Sequence, residues 1–440
     1  MTFAVETPDV ARLIEPDRVH RAVYIDPDIF ELEMERIWGR AWIYVGHASQ
    51  VPAPGDYFAT EIGREPIIMV RDGDGSIHVL SNRCAHKGAK LVSARSGNVR
   101  NFYCSYHGWS YRTDGSLVSV PLRSGYDNTC FSLEDPAFSL RHLPRVDQYR
   151  GFVFASLSGE GPDLRSFLGG AAVAFDDMID RAPDGEVECA GSCARSIQHS
   201  NWKFFLENQL DGVHAGIVHT SSVQAATEVV RARYGKLEPP LALKILAAQT
   251  PPDPDSIWPK LNSANFPYGH SNFLGYQEAR GADHATREYE ALMRERYGAE
   301  RTEQILSRNY HHTVVYPCLS IMSAFQQIRV VKPLGVDRTL MEIWHFNLRG
   351  APEAFRARNM AYSNIVNSPA TMIGCDDYET WWRCHEGLKS QTHDWVSLHR
   401  NCGDDYQDGD VTRSRVGTSE VFQRNQYRTW VDYMTGAGQP

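Results

Sequence analysis

The chain has 440 residues, a formal net charge of −9 and 42% hydrophobic residues. That length can bury more than one core, and the acidic balance argues against non-specific nucleic-acid binding. No apolar run reaches membrane-spanning length and residues 1–40 carry no signal-peptide pattern, so a cytoplasmic protein with no membrane partner is expected. Its nine Cys then read as ligands and free thiols rather than disulfides.

In chain order, Asp26-Pro27 opens a short helix whose Phe30, Met34, Ile37 and Trp38 share a face. This arm, residues 1–40, should lead into a small antiparallel β domain over 41–158. Strand-type runs flank the turn Asp72-Gly73-Asp74-Gly75, namely Pro66 to Val70 and Ile77 to Leu80, and a second hairpin signal stands at Asp114-Gly115.

Between them come Cys84, His86, Cys104 and His107, in the pattern C-x-H, a gap of seventeen, then C-x-x-H. Two thiolates and two imidazoles at that spacing suit a [2Fe–2S] cluster of the Rieske kind, with two Cys on one iron and two His on the other. The alternative is a Cys₂His₂ zinc site. Zinc fingers, however, pair Cys with Cys and His with His, whereas each pair here is mixed. Gly88 and Gly108 allow close approach of the backbone, and Trp109 is placed to shield the cluster.

A larger domain should fill 159–440. Asn201 reads as the cap of a helix entered from a strand near Cys193 to His199. Further along, His214 and His219 are five residues apart, about 140° out of phase on an ideal helix. They can share a metal only if the helix is distorted between them, and Gly212 and Gly216 are the expected places. Two His and one carboxylate make the facial triad of non-haem Fe(II) oxygenases. The third ligand is sought in Asp376-Asp377, on a helix expected to begin at Ser368-Pro369. A structural His pair remains the alternative at this point. The Pro-rich stretch after His219 (Pro239, Pro240, Pro251, Pro252, Pro254, Pro259) reads as a lid or a surface excursion. Thr313 to Leu348 reads as antiparallel strands, and Glu353 to Val366 and Thr418 to Met434 as helices. His311-His312 is discounted as a metal pair because adjacent strand residues face opposite ways.

The order C-x-H, C-x-x-H, Asn201-Trp202-Lys203, Glu207-Asn208-x-x-Asp211-x-x-His214-x₄-His219 and a late Asp-Asp resembles the large (α) subunit of Rieske non-haem iron aromatic ring-hydroxylating oxygenases. The resemblance covers nearly the whole chain. It implies an α+β fold: a small antiparallel β Rieske domain, plus a catalytic domain whose antiparallel sheet is flanked by helices, of the helix-grip, START-like kind. It implies that His214, His219 and Asp377 hold a mononuclear iron, and that Asp211 bridges the His214 side to His107 of a neighbouring subunit. Such a bridge has a physical reason, since a metal-bound His donates its second ring N–H to a carboxylate. Leu210, Val213, Ile217 and Ile373 are candidate substrate walls because they neighbour the ligands.

Two positions depart from the family pattern: Lys87 stands where Arg is usual, and Val213 where an aromatic residue commonly precedes the first iron His. The compact Glu-Asn-x-x-Asp spacing is similar to oxygenases of benzoate-, salicylate- and terephthalate-like acids. The implied activity is cis-dihydroxylation of an arene, leaning towards an aromatic carboxylate. Electrons come from NAD(P)H through a reductase, directly or via a ferredoxin, because the chain has no G-x-G-x-x-G fingerprint. The implied assembly is α₃, or α₃β₃ with a small β subunit. Alternatives are a Rieske monooxygenase or O-demethylase, and an electron-transfer Rieske protein without oxygenase activity.

Overall fold

The computed structural model describes residues 10–247, 261–275, 283–308, 310–369 and 371–436. The chain divides into two compact units, one of Met34–Leu164 and the other of Met1–Glu33 with Arg165–Pro440. The boundary falls inside the helix Pro27–Arg36. Asp26 starts that helix by accepting from the backbone N–H of Asp28 at 2.8 Å, with Pro27 in the first turn, where its missing N–H costs nothing.

The smaller unit is all antiparallel. Ile77–Ser81, Glu65–Arg71, Asp56–Ile62 and Ser96–Asn98 form a four-stranded sheet in that order. The turn Asp72–Gly75 closes the hairpin of its first two strands, with Gly75 at φ +89° and its N–H donating to Asp72 O at 3.0 Å. Arg145–Tyr149, Phe152–Ser156 and Ile43–His47 make a second sheet; Leu117–Ser119, Ser110–Tyr111 and Phe102–Tyr103 make a third. Alternating residues Ile68, Val70 and Leu80 pack with Phe102, Trp109, Tyr111 and Leu117 into one core, and Cys84 and Cys104 belong to it. Each such large apolar side chain contributes roughly 1.5–3 kcal/mol on burial, so the sulfur-bearing loops are seated on the most stable part of the unit.

The larger unit is built on a nine-stranded antiparallel sheet. Its order is Val187–Gln198, Arg338–Leu348, Gln327–Gly335, Leu319–Met322, Tyr310–Val315, Ser271–Leu274, Asn262–Asn265, Val411–Ser414 and Asp405–Asp408. The helices His284–Leu306, Glu353–Val366, Met372–Gly387 and Val421–Thr435 complete it. The strands expected between Thr313 and Leu348 and the helix over Glu353 to Val366 are present. The last helix begins at Val421, later than Thr418, because the Ser419 Oγ accepts from the Val421 N–H at 3.2 Å. Of the expected lid, Pro239 and Pro240 precede a short helix Leu241–Ala247, while Pro251, Pro252, Pro254 and Pro259 lie outside the described residues.

Asn201 caps the helix Trp202–Gln209 as expected: its Oδ1 accepts from the Lys203 N–H at 3.1 Å, and its Nδ2 donates to Tyr24 O and Val336 O. The first turn is fixed further by a buried ion pair, Lys203 Nζ to Glu33 Oε1 at 2.6 Å. Glu33 also accepts from the indoles of Trp202 at 2.9 Å and Trp430 at 2.7 Å. A fully buried charge is tolerated only when paired and hydrogen-bonded in this way.

Candidate functional sites: a Cys₂His₂ loop pair and a His₂Asp cavity

In the smaller unit the two ligand loops are copies of one design. The Cys84 N–H donates to Ala89 O and the Gly88 N–H to Cys84 O; the Cys104 N–H donates to Trp109 O and the Gly108 N–H to Cys104 O, all at 2.8–3.0 Å. Gly88 and Gly108 have φ +75° and +73°, a region costly for other residues. A Cβ on Gly108 would also stand 2.7 Å from Pro121. Both Cys are buried, whereas both His are partly exposed. The rings of His86 and His107 lie 4.7 Å apart, and Trp109, 3% exposed, stacks on His86 at 4.9 Å.

These residues fit a two-iron cluster. The buried Nδ1 of His86 has no hydrogen-bond partner, which leaves its lone pair for a metal. Burial, then His107 and Lys87, pulls the His86 pKa down and so favours the neutral ring that ligation needs. Among the described residues the four do not converge on one ion-sized space, as a tetrahedral zinc would demand. Sequence reasoning missed Tyr111. Its hydroxyl accepts from the Ala85 N–H at 3.1 Å and lies 3.1 Å from Cys84 Sγ, so that with Cys84 as a metal-bound thiolate the hydroxyl would donate its proton to the sulfur.

In the larger unit the helix Trp202–Gln209 stops before the two His. Leu210 turns out of helical geometry, and Asp211 Oδ1 accepts from the N–H of Val213 at 2.7 Å and of His214 at 3.4 Å. A one-turn helix, Ala215–Val218, follows, and a second break at His219 (φ −93°, ψ 5°) leads into Thr220–Val229. Gly212 lies in the turn that separates the two helices, as expected, whereas Gly216 lies inside the one-turn helix and the break between the two ligands falls at His219 instead; neither glycine has positive φ. At the first break the Asp211 side chain satisfies the freed N–H groups of Val213 and His214, so Gly212 needs no positive φ there.

The outcome is a convergence of His214, His219 and Asp377, whose donor atoms lie within 4.8 Å of one another. Asp377 Oδ1 is 3.7 Å from His214 Nε2 and 3.5 Å from His219 Nε2. Asp377 lies in the first half of the helix Met372–Gly387, which starts after Thr371 rather than at Ser368-Pro369. Ser368 and Thr371 instead close a turn, Thr371 N–H to Ser368 O at 3.1 Å. Its neighbour Asp376, rotated about 100° round the helix, reaches the other nitrogen of His219: Oδ2 is 3.4 Å from Nδ1 and accepts from Ser222 Oγ at 2.9 Å. A polar chain holds Asp377 as well. Ser320 Oγ donates to Gln209, Gln209 Nε2 to Asn208 Oδ1 at 3.1 Å, and Asn208 Nδ2 to Asp377 Oδ1 at 3.2 Å. Two imidazole nitrogens and one carboxylate oxygen so arranged fit a mononuclear iron with open positions.

Asp211 Oδ2 lies 3.7 Å from His214 Nδ1, and its side chain keeps 36% exposure. Burial disfavours its charge, but the contact with His214 outweighs this and its pKa is lowered. For His214, burial is likewise outweighed by Asp211 and Asp377, and the pKa is raised.

The His214, His219 and Asp377 group opens into a small cavity of about 80 Å³. Phe273, Met322, Tyr362, Val366 and Ile373 give it apolar walls; Asn208, His312, Arg329 and Asn367 are its polar groups. Of the four expected wall residues, only Ile373 lines it. Leu210 is buried elsewhere, Val213 is off the cavity and Ile217 is 71% exposed, because the broken helix turns them to other sides. The far wall comes from strands and from the helix Glu353–Val366, remote in sequence from the ligands. Arg329 carried a signal that was not used, a charge inside the apolar run Ile328 to Val331.

Comparison with known proteins follows this division. The description "Rieske [2Fe-2S] domain" matches residues 41–135, and "Ring hydroxylating alpha subunit (catalytic domain)" matches 187–436. The toluate 1,2-dioxygenase α subunit of Pseudomonas putida is 33% identical, over 88% of this chain and 84% of its own. The 2-halobenzoate 1,2-dioxygenase large subunit of Burkholderia cepacia is 30% identical, over 92% and 84%. The structure of naphthalene 1,2-dioxygenase from Rhodococcus sp. bound to indole superimposes with a TM-score of 0.77 at 25% identity, over 96% and 95%.

Proposed function

Given that the chain belongs to the ring-hydroxylating dioxygenase α-subunit family, a Rieske domain joined to an iron-bearing catalytic domain, we propose that it is the oxygenase component that cis-dihydroxylates an aromatic carboxylate. The observation that carries this reading is the convergence of His214, His219 and Asp377 in a cavity that sets polar groups beside the apolar side chains of Phe273, Met322, Val366 and Ile373. The lean towards an acid is supported by the toluate and 2-halobenzoate relatives and by the Glu207-Asn208-x-x-Asp211 spacing.

In this reading Cys84, Cys104, His86 and His107 hold the [2Fe–2S] cluster, and His214, His219 and Asp377 hold the iron. When bound, the cluster supplies stored electrons and the iron supplies oxygen activation. The protein's own residues do the rest. Asp376 accepts the Nδ1 proton of His219 and fixes its tautomer; Asn208 holds the carboxylate of Asp377. Phe273, Val366 and Ile373 exclude water and grip the ring. Asp211, whose Oδ2 lies 3.7 Å from His214 Nδ1, stands between His214 on one side and, through its exposed edge, His107 of a neighbouring copy, which makes an α₃ or α₃β₃ assembly part of the machinery. Family members work with reductase and ferredoxin partners, and here NAD(P)H feeds the cluster through them. A reducing, cytoplasmic setting suits seven free Cys beside the two cluster ligands, and among the described residues no helix is long and apolar enough to cross a membrane.

The test is product analysis under ¹⁸O₂ with a surrogate reductase and a panel of benzoates, salicylates, phthalates and neutral arenes. Two labelled oxygens in one cis-diol acid are expected. A single label, or loss of a methyl group, would identify monooxygenation or demethylation instead.

A further inference from the structure

The cavity contains one residue that the iron ligands do not account for. Arg329, on the strand Gln327–Gly335, lines it and is only 8% exposed. Its Nε donates to Gln327 Oε1 at 3.2 Å and its Nη2 to the Met322 sulfur at 2.9 Å. Sulfur is a weak acceptor, and among the described residues Nη1 has no hydrogen-bond partner. Among the described residues no carboxylate lies within ion-pair distance of the guanidinium. The nearby negative charge acting on it is Asp377, which on the reading above is committed to the metal. Burial lowers its pKa only to about 10, so the group stays charged at neutral pH. A buried cation without a counter-ion is costly, and such a group facing a ligand cavity asks for an anion.

Resting on the dioxygenase reading, we propose that Arg329 is the specificity-determining anchor of this enzyme, binding the carboxylate of an aromatic acid whose ring lies between it and His214, His219 and Asp377. The planar fork of Arg suits bidentate recognition of a carboxylate. Gln327 holds the fork in place: its Oε1 accepts from Arg329 and also from Asn367 Nδ2 at 2.8 Å. Apolar walls beside this single cation select an arene with one anionic group over a neutral arene.

The experiment compares wild type, Arg329→Gln and Arg329→Lys, all loaded with iron, using benzoate and toluene as probes. Binding is read by calorimetry without reductant, and turnover separately with a surrogate reductase. Truncating one partner of a buried charge pair costs roughly 2–5 kcal/mol, so the Gln variant should lower the benzoate-to-toluene affinity ratio by about 30-fold or more. The Lys variant, keeping charge without the fork, should recover part of it. Because Gln removes an unpaired buried charge, folding should survive; if its thermal transition falls sharply, the Lys variant against wild type decides. Unchanged benzoate affinity in both variants overturns the anchor, and the dioxygenase reading then stands or falls on turnover alone. Arg329-dependent benzoate binding in an enzyme that oxidises no aromatic acid upholds the anchor and refutes the function.

Discussion

Adjacent acids on one helix divide two tasks, and the division can be measured. Asp377 Oδ1 faces the Nε2 atoms of both His214 and His219, at 3.7 and 3.5 Å; Asp376 Oδ2 faces the opposite nitrogen of His219, at 3.4 Å, and accepts from Ser222. Asp377→Ala removes one of three donors and should abolish iron retention. Asp376→Ala removes no donor but leaves the Nδ1 proton and the Ser222 hydroxyl without their acceptor. Losing an outer partner of this kind costs roughly 10–100-fold in metal affinity, or about 1.4–2.8 kcal/mol. Asp376→Asn keeps a neutral oxygen for both donors and should fall between wild type and Ala, a rescue that a bulk packing role would not produce. The assay is chelator competition for Fe(II), with cluster absorbance as the internal count of protein. If Asp376→Ala strips the iron as fully as Asp377→Ala, or if Asp377→Ala retains it, the assignment of ligand and positioning residue is wrong.

Glu33→Gln should destabilise the larger unit by about 3–5 kcal/mol by leaving Lys203 buried and uncompensated; urea unfolding followed by tryptophan fluorescence checks it, and a loss below about 1 kcal/mol contradicts the buried-pair argument. Tyr111→Phe should lower the cluster's reduction potential, since it removes a proton directed at Cys84 Sγ; an unchanged potential in voltammetry would mean the hydroxyl proton points elsewhere. His270, fully buried, donates from Nε2 to Phe167 O at 2.8 Å and accepts the Tyr316 N–H at Nδ1, and burial lowers its pKa to about 4. The unfolded chain takes up this proton below about pH 6.5 and the folded chain only near 4, so stability is lost as pH falls through that window, by about 3 kcal/mol in all; unfolding titrations of wild type and His270→Asn should diverge there, and parallel curves would refute the linkage.

Ligands close in sequence were the easiest to read. Cys84, His86, Cys104 and His107 belong to two short loops whose spacing is itself the chemical requirement, and the Asn201 cap precedes an apolar run that only a helix can bury. The helix Glu353–Val366 was legible for a similar reason, a sustained 3.6-residue pattern. The break between His214 and His219 was legible as a necessity but not as a mechanism. Period counting shows that an unbroken helix cannot aim both rings at one ion, yet it does not show that the break falls at His219 itself, nor that the Asp211 side chain takes up the N–H groups freed just before His214. Start positions such as Met372 and Val421 depended on single capping contacts, which a pattern of apolar residues does not encode.

The cavity was least legible because a sheet wall is assembled from residues far apart in the chain. Neighbours of the ligands in sequence, such as Val213 and Ile217, were turned away by the breaks that aim the His, whereas Met322 and Arg329 arrive on adjacent strands of the nine-stranded sheet. One kind of signal does survive in the sequence. A charged residue inside a run of buried strand residues must be paired, exposed or facing a cavity. Lys332 meets this demand through Glu342 at 3.3 Å. Among the described residues Arg329 has no such partner, so in this strand the absence of a counter-ion separates a charge kept for the fold from one kept for a ligand.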